Sequence, residues 1–238
     1  MKKILICGIK QSGSTRVFNL IQKLFQKQNI NVDSCWEKNY KKKRYNKKCE
    51  VLIVKDHYYF LNNPIEFDYI ILPLRDIRDC AISRTARTPN NIKNIKKDID
   101  FMLESIDAFN GYYLKKTIYN GKQIIPYVIK YEDWGLDLLK QIQNYFNLDN
   151  SEKVLLQIMK ELNDMLHSKT IVKTDNRRSK HYVKNKLYGI YQKTLLTREH
   201  NTSGGKSQKY LEYYTDEENK IITSNKIINN FLIEFEYI

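Results

Sequence analysis

The chain has 238 residues, with 41 Lys and Arg against 27 Asp and Glu, a formal net charge of +14 and 42% hydrophobic residues. This length is enough for one α/β domain with a sizeable core, and the hydrophobic and aromatic content excludes a disordered tail. No run approaches the roughly 18 apolar residues that a membrane-spanning helix needs, which excludes a spanning protein. The apolar segment 4–9 is too short for a signal peptide, so we interpret it as a strand and expect a cytoplasmic protein.

Two segments carry all of the excess positive charge. Residues 38–48 contribute +7 and residues 167–209 contribute +9, so the rest of the chain is slightly acidic. Localised positive charge indicates an anionic ligand such as phosphate, sulfate, a polyanionic glycan or nucleic acid. For segment 38–48, a solvated lysine-rich loop is an equally good interpretation.

The four cysteines, Cys7, Cys35, Cys49 and Cys80, stand far apart in the sequence. No CxxC pair and no Cys/His cluster has the spacing of metal ligands, which argues against a zinc site. Cys7 and Cys80 fall inside apolar patterns and are predicted to be buried free thiols. A disulfide between Cys35 and Cys49 stays open, because nothing in the sequence demands or forbids it.

Strands and helices alternate along the chain, which predicts a parallel sheet covered by helices. The second half of the chain also contains a segment without periodicity, 167–209, which predicts long basic loops with one short helix at most. We expect a single domain over 1–238 with a three-layer α/β/α architecture. Strands are predicted at 4–8, 31–35, 51–54, 69–74 and 124–130, and helices at 17–25, 76–87, 92–116, 136–146, 151–166 and 216–235.

The loop after the first strand has the composition of a phosphate-binding loop. Gly8 and Gly13 are spaced as in the nucleotide-binding P-loop, and such glycines let backbone N–H groups point at an anion beside a helix N-terminus. The Lys that should follow the second glycine is Ser14, and the basic residue stands earlier, at Lys10. This departure argues against a P-loop NTPase.

The loop resembles the 5′-phosphosulfate loop of the sulfotransferase family, which uses 3′-phosphoadenosine 5′-phosphosulfate (PAPS) as donor. The resemblance rests on an early basic residue followed by Ser-Gly-Ser-Thr at 12–15. A second segment, LRDIRDCAIS at 74–83, resembles the 3′-phosphate segment of the family, with Arg75 at a strand end and Ser83 on the following helix. The competing interpretation of Arg75 is an ion pair with Asp76 or Asp79.

Three weaker matches follow in the order of the family. Val-Lys-Asp-His at 54–57 is similar to the Lys-Thr-His segment whose His is the general base, although a lone His at a strand end is often an ordinary polar residue. Tyr-Glu-Asp at 131–133 resembles the segment of the same sequence in the family, and we expect its acids to cap the following helix. Segment 198–215, with Gly204, Gly205 and Lys206, looks like a degraded form of the loop that closes over the nucleotide.

The resemblance implies a P-loop NTPase-like fold of the sulfotransferase type and in-line transfer of a sulfuryl group from PAPS, without a metal. It implies His57 as general base, Lys10 as the cation that neutralises the leaving oxygen and Lys55 as a second candidate for that role. Tyr131 or Trp36 would contact the adenine, and adenosine 3′,5′-bisphosphate would be the product. The donor would be held by Lys10, Gln11, Ser12, Gly13, Ser14, Thr15, Arg16, Arg75, Ser83, Tyr131, Gly204, Gly205 and Lys206.

The resemblance implies an acceptor hydroxyl or amine, on a glycan, a protein or a small molecule. The basic segment 38–48 lies where the family often builds its acceptor side. Tyr58, Tyr59 and Phe60 are candidates to line an acceptor pocket, and core packing is at least as good an interpretation of them. We expect no membrane partner and no nucleic-acid partner. Two alternatives stay open: a P-loop nucleotide or small-molecule kinase, and a non-catalytic anion- or nucleic-acid-binding protein on the same scaffold.

Overall fold

A computed structural model describes residues 1–36, 40, 45–57, 67–86, 92–114, 117–119, 122–167 and 207–238. Strands and helices alternate through most of these ranges, as predicted. The strands are β1 (Lys2–Ile6), β2 (Val32–Trp36), β3 (Val51–Lys55), β4 (Tyr69–Leu74), β5 (Thr117–Tyr119), β6 (Lys122–Ile124) and β7 (Tyr127–Lys130). The helices are α1 (Ser14–Gln26), α2 (Ile77–Thr85), α3 (Ile95–Tyr113), α4 (Leu136–Tyr145), α5 (Glu152–His167), α6 (Tyr210–Tyr213), α7 (Asp216–Ser224) and α8 (Lys226–Glu234).

Five strands form one parallel sheet in the order β2-β3-β1-β4-β7. The strands are short apolar runs, as expected where helices cover both faces of a sheet. All five strands point the same way, so the residues that follow β1, β3, β4 and β7 meet at one edge of the sheet. Ligands of open α/β sheets bind at this carboxyl edge, so the fold places the predicted site residues together.

Alternate side chains of the strands point to opposite faces and build two cores. Ile4, Ile53 and Ile71 pack with α1, α4 and α5 on one face. Leu5 and Leu72 pack with α2, α3, α7 and α8 on the other. The three-layer α/β/α class predicted from the sequence is therefore confirmed.

Two parts of the fold differ from the sequence prediction. Residues 117–124 contain a short antiparallel hairpin of β5 and β6, and the last strand of the main sheet begins only after Pro126. The helix predicted over 216–235 is two helices, because Asn225 has a non-helical backbone and its side chain accepts the N–H groups of Ile227 and Ile228. The apolar periodicity continues through Asn225, so the pattern alone predicts one helix, although the N-cap residue starts a second one.

All four cysteines are buried free thiols, including Cys35 and Cys49. Burial raises the pKa of Cys7 and of Cys80 well above the usual value, because a thiolate there would lose its hydration. Within the residues described, no helix is long and apolar enough to cross a membrane.

Candidate functional site

The loop between β1 and α1 is held by backbone conformations that favour glycine. Gly8 and Gly13 have φ values of 122° and 82°, and Gln11 adopts φ 72° between them. The hydroxyl of Ser12 donates to the carbonyl of Ile9 at 2.7 Å, which closes the turn. Ser14 and Thr15, in the first turn of α1, are buried, and this turn contains no acidic residue. The N-cap residue is Gly13, which has no side chain to accept a hydrogen bond from the first N–H groups of the helix. The loop therefore presents a helix N-terminus suited to an anion.

Tyr131, directly after β7, packs against this loop. A Cβ added at Gly13 would lie 2.4 Å from Cδ2 of Tyr131, so no larger residue fits there while the ring keeps its place. The guanidinium carbon of Arg75 lies 4.8 Å from the centroid of the same ring. One aromatic ring thus stands between the loop and Arg75.

Gly13→Ala is expected to destabilise the fold. A residue with a Cβ in the left-handed region costs about 1–2 kcal/mol, and the displaced Tyr131 ring adds to this. The matched control is Gly135→Ala, because Gly135 has an extended φ of −173° and the nearest atom to its added Cβ is 3.8 Å away. Chemical denaturation of both variants checks this, and equal losses of stability would contradict it.

The end of β3 places a buried cation beside the loop. Lys55 is 2% exposed, its Nζ donates a hydrogen bond to Oγ1 of Thr15, and it lies 5.0 Å from the Trp36 ring. Lys10, the first candidate for the catalytic cation, is 43% exposed, and its Nζ lies 4.0 Å from Oε1 of Glu104. Lys55 is thus in direct contact with the first turn of α1.

His57 lies two residues beyond Lys55 at the same edge of the sheet. Its Nδ1 lies 3.3 Å from the carbonyl oxygen of Gly8, and its ring centroid lies 5.6 Å from that of Trp36. A carbonyl oxygen only accepts, so this contact requires the proton on Nδ1 and leaves Nε2 as the basic nitrogen of the neutral ring. Asp56, between Lys55 and His57, is buried and accepts from the hydroxyl of Tyr112 at 2.9 Å.

The end of β4 and the start of α2 hold Arg75 in a fixed position. Its guanidinium donates to Ser83 Oγ at 3.3 Å and to Asp79 Oδ2 at 3.1 Å. The alternative interpretation, an ion pair of Arg75 with an acid, is therefore correct for Asp79, but the pair is buried and not on the surface. Burial raises the pKa of Asp79, while the charge of Arg75 acts against this rise.

Arg16, in the first turn of α1, lies near two aromatic rings. Its guanidinium carbon lies 3.7 Å from the Trp134 ring and 5.8 Å from the Tyr131 ring, and it donates to Asn163 at 2.6 Å. Burial lowers the pKa of Arg16, but a guanidinium stays charged at any physiological pH. Two guanidinium groups, those of Arg16 and Arg75, therefore lie near the ring of Tyr131.

The acids after Tyr131 do not cap the next helix, so that expectation was wrong. Gly135 is the N-cap of α4, and no side chain caps it. Glu132 instead accepts the backbone N–H of Asp76 at 3.3 Å and the hydroxyl of Tyr237 at 2.9 Å. Burial raises the pKa of Glu132.

Several predicted residues lie outside the described part of the chain. These are the loop residues Gly204, Gly205 and Lys206, the aromatic residues 58–60 and, apart from Tyr40 and 45–48, the basic segment 38–48. The sequence analysis missed Trp134, Arg78 and Tyr237, which contact the site residues or their neighbours. The sequence could have pointed to Arg78, because it is the second arginine of the 74–83 segment. Nothing in the sequence points to Trp134 or Tyr237.

Comparison with known proteins gives structural matches only. No protein-family model matches the chain, and no curated protein matches its sequence. A crystal structure of retinol dehydratase in complex with androsterone and the inactive cofactor PAP matches with a TM-score of 0.58 and 14% identity, over 98% of this chain and 81% of that one. The complex of retinol dehydratase with retinol and PAP matches with a TM-score of 0.57 and 14% identity, over 98% and 82%. The chain therefore shares the α/β fold of retinol dehydratase.

Proposed function

We propose that this protein is a sulfotransferase that moves a sulfuryl group from PAPS to a hydroxyl or amine. One observation carries the proposal: Tyr131 lies against Gly13 of the helix-terminal loop on one side and against Arg75 on another. Two anion-binding groups separated by one aromatic ring fit an adenosine that is phosphorylated on both its 3′ and 5′ oxygens. The fold shared with a protein crystallised with PAP, which is adenosine 3′,5′-bisphosphate, supports this assignment.

The donor would be held from two strand ends. Backbone N–H groups at the start of α1, with the hydroxyls of Ser14 and Thr15, would bind the 5′-phosphate. Arg75, oriented by Asp79, would bind the 3′-phosphate together with Ser83. Tyr131 would stack on the adenine, with Arg16 beside it. Trp36, the other candidate for the adenine, lies near Lys55 and His57.

Lys55 and His57 would perform the chemistry. The Lys55 ammonium, beside Thr15, would stabilise the negative charge that develops on the phosphate oxygen as the sulfuryl group leaves. Nε2 of His57 would take the proton of the attacking hydroxyl, while Nδ1–H holds the ring against Gly8. The fixed ammonium of Lys55 would supply the charge that a metal ion supplies in P-loop kinases.

The acceptor class follows from the neighbouring structures and not from this chain's own pocket. The matching structures contain androsterone and retinol, so a small alcohol is our first choice of acceptor. A sugar or protein hydroxyl is the alternative that the basic segments favour.

The binding of adenosine 3′,5′-bisphosphate, measured by calorimetry beside 5′-AMP and Mg²⁺-ATP, tests the proposal. We expect the bisphosphate to bind most tightly, and Arg75→Ala to weaken it by about 10- to 100-fold without weakening 5′-AMP, because two charge-assisted hydrogen bonds to the 3′-phosphate are lost. Arg84→Ala, which changes an exposed arginine of α2, the helix after Arg75, is the control.

Arg75→Ala also leaves the carboxylate of Asp79 buried without its partner, so its stability must be measured in parallel. Ser83→Ala tests the same phosphate contact without this cost. Preference for Mg²⁺-ATP would move the protein to the kinase class. Equally weak binding of all three ligands, falling uniformly with salt, would indicate a non-catalytic anion-binding protein.

A further inference from the structure

Glu132 bridges the two strand ends that carry Tyr131 and Arg75. It follows Tyr131 directly in the chain, and its Oε1 accepts the backbone N–H of Asp76, the residue after Arg75, at 3.3 Å. Backbone pairing of β4 with β7 ends at Leu74 and Lys130, with one further bond from the N–H of Tyr131 to the carbonyl of Leu74 at 2.7 Å. Beyond that point, this side chain links the two segments.

The other oxygen of Glu132 is held by Tyr237, which lies beyond the last helix. The Tyr237 hydroxyl donates to Oε2 of Glu132 at 2.9 Å, and its backbone carbonyl accepts from Arg78 at 3.2 Å. Arg78, only 1% exposed, donates in turn to Asp76 Oδ2 at 2.7 Å. Glu132, Asp76, Arg78 and Tyr237 thus form a closed ring of hydrogen bonds.

Packing alone does not fix the Glu132 side chain. A cavity of about 330 Å³ lies beside it, lined among others by Asp76, Glu132, Tyr210 and Tyr237. Because Glu132 is exposed and borders this cavity, its two hydrogen bonds help to determine where the carboxylate points. Tyr237 supplies one of the two.

We propose that Tyr237 is a positioning residue of the donor site, which holds Glu132 so that Arg75 and Tyr131 keep the spacing that the 3′-phosphate and the adenine require. The inference rests on the proposed function, because Tyr237 has this role only if a ligand binds between Arg75 and Tyr131. Tyr237 acts through its hydrogen bond to Glu132. Small displacements of binding groups have large effects on charge-assisted contacts, so the loss of one distant hydroxyl is enough to be measured.

The test is a double-mutant cycle read out in the dissociation constant of adenosine 3′,5′-bisphosphate. Tyr237→Phe removes only the hydroxyl, and we expect it to raise this constant by about 5- to 20-fold. The same substitution in a Glu132→Ala background is expected to raise it less than about 2-fold, because the side chain that the hydroxyl held is already gone. Tyr127→Phe, at the start of the strand that Tyr131 follows, is the control and should leave the constant unchanged.

The outcomes separate this inference from the proposed function. If the unmodified protein does not bind the bisphosphate, the proposed function fails and the inference fails with it. If the unmodified protein binds and Tyr237→Phe binds equally well, only the inference is overturned. It is also overturned if Tyr237→Phe weakens binding by the same factor in both backgrounds, since that is the result of a general loss of structure. Thermal melting of each variant confirms that binding is measured on folded protein.

Discussion

His57→Asn is expected to slow sulfuryl transfer by about 10²- to 10⁴-fold, the usual contribution of a positioned general base, with little change in donor affinity. Asparagine carries an amide N–H close to the position of Nδ1, so the variant can keep the hydrogen bond to the Gly8 carbonyl. It has no atom at the position of Nε2, and that nitrogen is the one that the Gly8 contact leaves basic. The substitution thus removes the basic nitrogen and retains the hydrogen bond that holds the side chain in place.

Two measurements on the same protein decide this prediction. The rate is followed from PAPS with whichever of androsterone, retinol or a simple phenol gives the highest turnover, and the dissociation constant of adenosine 3′,5′-bisphosphate is followed by calorimetry. We expect the rate to fall and the dissociation constant to stay within about 3-fold, because His57 acts on the acceptor. A rate that does not change would remove His57 from the mechanism. A parallel loss of rate and donor affinity would make it a binding residue instead.

The carboxyl edge of the sheet could be predicted from sequence because its residues stand at fixed places relative to apolar runs. Lys55 ends β3 and Arg75 follows β4, and a parallel sheet brings such positions to one edge whatever the loops do. Ser83 was singled out by the resemblance of segment 74–83 to the family's 3′-phosphate segment, and the helix that follows Arg75 brings the two side chains together. Secondary structure and its direction predict the edge, while the choice of side chains came from the resemblance.

The contacts that support the site could not be predicted in the same way. Tyr237 reaches Glu132 across 105 residues, and the fold that joins them depends on how α7 and α8 pack on α3. Glu132 was assigned to the wrong partner because local capping is the commonest role of an acid before a helix, and nothing nearby in the chain points to Tyr237. The sequence does not decide between Lys10 and Lys55 for a related reason. It shows that both are near the loop, but the burial of Lys55 beside Thr15 is seen only in the structure.

Lys55→Met is expected to lower the transfer rate by about 10²- to 10³-fold, comparable to the loss of one preorganised electrostatic group. Methionine keeps an unbranched chain that packs against Trp36, so the buried space stays filled and stability is retained. The charge beside Thr15 is lost, and with it the stabilisation of the leaving oxygen.

Lys10→Met is the matched control for this experiment. It removes the same charge from the same loop, but at a side chain that is 43% exposed and lies near Glu104, where water screens its field. We expect its rate to stay within about 3-fold of the unmodified protein, because an exposed ion pair contributes little. If Lys10→Met gave the larger loss, the loop's own lysine would be the catalytic cation, and the contact between Lys55 and Thr15 would serve only to hold the first turn of α1.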